Sequence, residues 1–123
     1  MNVRRPIQLA YITLMLFVVA AQSPPVLGDA RALPVYPHRI NSWYHGRYDN
    51  KATTAQLQVA LTQGFATFLD TSDSRSMVTA WYHARLSGYT EHTVSAGTTF
   101  SGDGGLVKIL PYKGKIRIAL MPN

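Results

Sequence analysis

The sequence predicts an α+β fold: two helices packed on a small, mostly antiparallel sheet that ends in a β-hairpin. Three observations predict it. Two stretches place apolar residues at helical spacing, each opened by hydroxyl residues and closed by a glycine. The last stretch, Leu106 to Leu120, alternates or runs apolar around Pro111-Tyr112-Lys113-Gly114. There is also no internal repeat or low-complexity segment to suggest another plan.

The chain opens with Arg4 and Arg5 and no acid, followed by an apolar run from Ile7 to Ala21 broken by Gln8 and Thr13. Gln22-Ser23-Pro24-Pro25 ends the run, and Val26-Leu27-Gly28 follows. This is the order of a secretory signal peptide, residues 1–28, with cleavage expected after Gly28. The run falls short of the roughly 18–20 residues that span a bilayer, so the product is expected to be secreted, with no stable membrane insertion after cleavage. A retained anchor is the competing reading. Cleavage removes Arg4 and Arg5, so twelve cations become ten against six acids, a net charge of +4.

Residues 29–41 contain Pro34 and Pro37 and read as an extended leader. Residues 42–123 then form one small domain. Ile40 to Tyr48 is aromatic enough for a first strand, with Gly46 marking a bulge or a close backbone approach. Asp49-Asn50-Lys51 is a turn. Thr53 or Thr54 caps a helix to about Gln63, with Leu57, Ala60 and Leu61 inward and Gly64 as its stop. Phe65 to Leu69 reads as a short strand. A second helix is predicted from Ser74 to Leu86, with Met77, Trp81 and Ala84 as its apolar stripe and Val78 and Tyr82 widening it. Thr90 to Gly105 reads mostly as loop, with a strand near Thr93 to Ala96.

Composition narrows the chemistry. The chain is 46% hydrophobic, too apolar to be wholly disordered. With no Cys, it has no disulfide scaffold, Cys-ligated zinc, iron–sulfur cluster or thiol nucleophile. His38, His45, His83 and His92 lack the helical pair spacing of a zinc protease, so no metal is expected. Glu91 is the lone Glu, and its spacing from Asp49, Asp70, Asp73 and Asp103 suggests no glycosidase pair. No nucleophile elbow and no P-loop occur.

Two patches suggest binding instead. Trp43, Tyr44 and Tyr48 interleave with Arg39 and Arg47, a pattern that suits nucleic acid or glycan and equally suits a strand with one wet face. Lys108, Lys113, Lys115 and Arg117 cluster at the C-terminal hairpin, either as a solvated face or as an anion site.

The order of these features resembles the mono-ADP-ribosyltransferase toxins, over about residues 40–120. Tyr44-His45-Gly46 on a first strand is similar to the diphtheria type. Asp70-Thr71-Ser72 opening a helix with Trp81-Tyr82 is closer to the pertussis and cholera type, and Gly105-Leu106-Val107-Lys108-Ile109-Leu110 looks like the strand that follows. The resemblance implies NAD as cofactor. His45 would orient its ribose as the catalytic-site histidine, Gly46 would meet the carboxamide beside Tyr44, Thr71 and Ser72 would brace the site, and Tyr82 would stack on the nicotinamide. The family's catalytic Glu lies on a late strand, whereas no acid follows Asp103 here. The resemblance therefore implies a partial fold of toxin or effector type, either inactive or an NAD-dependent ADP-ribosyltransferase, acting on a host protein target.

Two other classes compete. One is a non-enzymatic secreted binding protein that uses its basic, aromatic surface on an anionic partner, nucleic acid included. The other is a small ribonuclease with His45 or His92 and Glu91 as acid and base.

Overall fold

The computed structural model describes residues 32–123. The signal-peptide reading of residues 1–28 lies outside the described residues. The described chain is α+β, with two helices and one seven-stranded antiparallel sheet. No described helix is long and apolar enough to cross a membrane.

Residues 32–40 carry neither helix nor strand, yet Leu33, Val35 and Tyr36 are buried in the core. The described part of the stretch read as a leader is thus packed into the body. Tyr36 meets Trp81 edge-on at 5.3 Å and stacks on Tyr82 at 6.4 Å. Arg39 donates to the Tyr36 and Ala52 carbonyls and to Thr54 Oγ1, each at 3.1 Å. Partial burial lowers the pKa of this guanidinium.

The predicted first strand is two strands, β1 (Asn41–Tyr44) and β2 (Arg47–Tyr48). His45 and Gly46 form the turn between them, with φ of 53° and 72°. Positive φ at both central residues is the two-residue hairpin that follows strand twist. Gly46 is therefore a turn residue and not a bulge.

Helix α1 (Thr54–Thr62) has the expected cap. Gln56 N donates to Thr53 Oγ1 at 3.1 Å, and Thr53 N donates to Gln56 Oε1 at 2.8 Å, closing a capping box. Gly64, at φ 92°, turns the chain out of the helix. Strand β3 (Thr67–Thr71) follows, two residues later than predicted.

Helix α2 (Arg75–Arg85) is capped by Ser74, which accepts from Met77 N. Its buried face is Val78 and Tyr82, continued by Leu86. Met77 and Ala84 are exposed and Trp81 half-buried, so the true stripe lies one residue round from the expected one.

Thr90 to Gly105 is not a loop. It forms β4 (Thr90–Val94) and β5 (Gly97–Gly102), a regular hairpin. Its threonines are β-branched and pair across the strands, as Thr93 does with Thr98. Strands β6 (Gly105–Tyr112) and β7 (Lys115–Pro122) complete the sheet.

The strand order is β2-β1-β3-β7-β6-β5-β4. After β3, the chain crosses through α2 to the far edge, then meanders back until β7 pairs with β3. Leu69, Phe100, Val107, Ile109, Ile118 and Leu120 share one face and pack against Leu57, Leu61, Val78 and Tyr82 of the helices. Among the described residues, the opposite face of the sheet carries no helix.

Candidate functional site

The residues singled out for NAD do not meet. His45 sits at the hairpin tip, its ring 4.1 Å from that of Phe65. Tyr44 pairs with Thr67. Thr71 stands four residues further along β3, about 13 Å away at strand rise. Thr71 is wholly buried, and its hydroxyl is already used: it donates to His38 O at 2.6 Å and accepts from Asp73 N at 3.1 Å. Ser72 is exposed and faces a shallow groove shared with Lys113 and Lys115.

Tyr82 presents no ring to a ligand. It is buried in the core, and its hydroxyl donates to Pro34 O at 2.9 Å. Burial pushes its pKa well above the ordinary phenol value. The expected nicotinamide stack is thus corrected to a core contact. Tyr44 is also largely buried, and its hydroxyl donates to Asp49 at 3.2 Å.

The ribonuclease set is dispersed as well. His45 lies at the β2–β1 edge and His92 on β4 at the other edge. Glu91 and His92 are consecutive strand residues and point to opposite faces. Glu91 instead meets His83 Nδ1 at 2.8 Å. Among the described residues, no group of three or more His, Asp or Glu is placed to hold a metal ion.

What the fold does bring together is the pair of patches that the sequence shows separately. Register aligns Tyr48, Trp43, Phe68, Ala119, Lys108, Thr99 and His92 in one row across the open face. The next row holds Asn41, Asp70, Arg117 and Leu110. Trp43 of the first patch and Arg117 of the second are in contact.

Arg117 is the centre of this face. Its guanidinium carbon lies 4.6 Å from the Trp43 ring centre and 3.7 Å from that of Tyr112. Nε donates to Asp70 Oδ1 at 2.8 Å and Nη2 to Oδ2 at 3.1 Å. The bond to Asp70 is the main reason that the Arg117 pKa is raised. The plane is held by a fork on one edge and a ring on each face. Around it opens a groove of about 370 Å³ lined by Trp43, Gly46, Ala66, Phe68 and Tyr112.

Gly46 and Tyr44 do line this groove, so part of the first-strand motif reaches it. Phe68, Tyr112 and Leu110 were not singled out from the sequence. Their signal is strand alternation: Phe68 sits between inward Thr67 and Leu69, and Leu110 follows inward Ile109. No family model, no curated protein and no solved structure matches the chain.

Proposed function

We propose that the chain is an exported, non-enzymatic binding protein of effector type, whose working surface is the sheet face opposite the two described helices and whose partner is anionic. The observation that carries this reading is the Arg117 guanidinium held between Trp43 and Tyr112, with Phe68 and Tyr48 open beside it.

The wet face of an antiparallel sheet is ordinarily polar. Here Trp43, Phe68, Leu106, Leu110, Tyr112 and Met121 stand on it, an apolar area of the kind that marks contact surfaces. Lys108 and Lys115 add positive charge, while Arg117 and Asp70 offset each other as an ion pair. The field over this face therefore favours an anion. The basic start, apolar run and small residues of 1–28 support export.

The test is binding of the full chain to an immobilised polyanion at low and high salt, with Lys108→Glu and Lys115→Glu as variants. Binding is expected to weaken with salt and with each reversal. Retention that ignores both charges, or no retention at low salt, would overturn the reading. Nicotinamide release from NAD by the same preparation would restore the ADP-ribosyltransferase reading in its place.

A further inference from the structure

Resting on that reading of the open face, we infer that its partner is single-stranded nucleic acid, with bases stacked on Tyr48, Phe68 and Tyr112 and phosphates met by the lysines. Three features separate this from other anions.

The first is exposed rings. Tyr48, Phe68 and Tyr112 are 52%, 36% and 37% exposed. Tyr48 and Phe68 flank Trp43 in one register row, so they are two strand spacings apart, about 10 Å. Aromatic faces at intervals on an open sheet are what unpaired bases need, because every base has a π-face to stack. A duplex hides those faces and presents only edges. A sulfated glycan or an acidic peptide would meet the cations but brings no planar π-face to stack on the rings.

The second is a rigid floor. Arg117 cannot swing out, being clamped by Asp70 and two rings, and Ala119 keeps the middle of the row low. The exposed rings thus project from a preformed surface, which reduces the ordering cost of binding.

The third is the placement of charge. Lys108 lies two strands beyond Phe68 along the row. Lys113 and Lys115 stand at the β6–β7 turn, with Lys113 Nζ 5.3 Å from the Tyr112 ring centre. Cations on both sides of a ring strip match a strand whose phosphates flank its bases. Asn41, the amide beside the rings, has its Oδ1 engaged by the Tyr48 hydroxyl at 2.8 Å, so it cannot make the paired donor–acceptor contact that reads a base edge. Binding should therefore show little sequence preference.

The experiment titrates the full chain with a labelled oligouridylate, with the abasic strand of the same length, with a duplex, and with a sulfated oligosaccharide of equal charge. The oligouridylate is expected to bind at least tenfold tighter than the abasic strand. Tyr48→Ala and Phe68→Ala should each remove most of that advantage while leaving the abasic strand's affinity in place. Thermal melts of these variants confirm that the loss is local. Lys108→Gln should weaken all anions and flatten the salt dependence.

If the abasic strand, the duplex or the sulfated oligosaccharide binds as tightly as the oligouridylate, and Lys108→Gln weakens it, the assignment to single-stranded nucleic acid with stacked bases falls and the face reading survives. If no anion binds at low salt, both fall.

Discussion

Arg117 and Asp70 face each other across the β7–β3 pair and share two parallel hydrogen bonds, of 2.8 and 3.1 Å. The Asp70 side chain is 5% exposed and the Arg117 side chain 22%. The pair joins a strand of the first half of the chain to the last strand, and it holds the only described cation stacked between two rings. Asp70→Asn leaves a charged fork with one good acceptor. Stability is expected to fall by about 2 kcal/mol, read by urea unfolding. The same change leaves Arg117 uncompensated, so affinity for a polyanion should rise and its salt dependence should steepen. A variant that loses stability without gaining affinity would mean that Arg117 only supports the rings.

Gly102 and Tyr89 make a second pairing that permits no substitution on one side. A Cβ on Gly102 would stand 2.6 Å from Tyr89 Cγ. The ring cannot tip away freely, because its hydroxyl accepts from Gly104 N at 2.7 Å. Gly102→Ala is expected to cost about 1–3 kcal/mol by overpacking. In a double-mutant cycle with Tyr89→Ala, the second loss should be partly absorbed, since the clash is gone. Strict additivity would show that the ring does not cause the cost.

Much of this fold is legible locally. Thr53 with Gln56, and Ser74 before Met77, mark both helix starts within four residues, because caps are local hydrogen bonds. The β4–β5 hairpin is hidden because threonine and glycine serve turns as readily as strands. Pairing of Thr98 with both Thr93 and Ile109 decides the matter, and it is tertiary. Tyr82 lies four residues from Val78, and that spacing marks it as core, against a role in stacking on a ligand. The open face is half legible. The aromatic and basic patches are visible at 43–48 and 108–117, but their contact depends on β3 lying between β1 and β7. That adjacency spans some seventy residues of chain and leaves no local trace.

Tyr36 sets an alkaline limit. Its pKa is pushed up to about 12, first by burial, then by its hydrogen bond to Asp73 and by that carboxylate's charge. The unfolded chain releases this proton near pH 10 and the folded chain keeps it. The contribution is therefore complete below about pH 10 and is lost as pH rises toward 12, by roughly 2–3 kcal/mol across that window. Tyr36→Phe should lower stability modestly at neutral pH and reduce the slope above about pH 10. Urea midpoints at neutral and alkaline pH check this. An unchanged alkaline slope would assign the loss to other tyrosines, such as the more deeply buried Tyr82.

The same substitution should act in opposite directions at the two ends of β3. Thr67 and Thr71 share the inward face, and both are wholly buried. The Thr71 hydroxyl bridges His38 O and Asp73 N, so it ties the segment before β1 to the turn that enters α2. Thr71→Val keeps the shape and leaves the partly buried His38 carbonyl and Asp73 amide without this partner, at a cost of about 1–2 kcal/mol. The Thr67 hydroxyl has no hydrogen-bond partner among the described residues. Thr67→Val removes an unpaired buried hydroxyl, and a β-branched residue suits the strand, so stability should rise by about 1 kcal/mol. Neither side chain faces the open surface, so polyanion affinity should stay the same in both variants. Affinity lost in Thr71→Val at full folding would instead give that threonine a direct role in the ligand site.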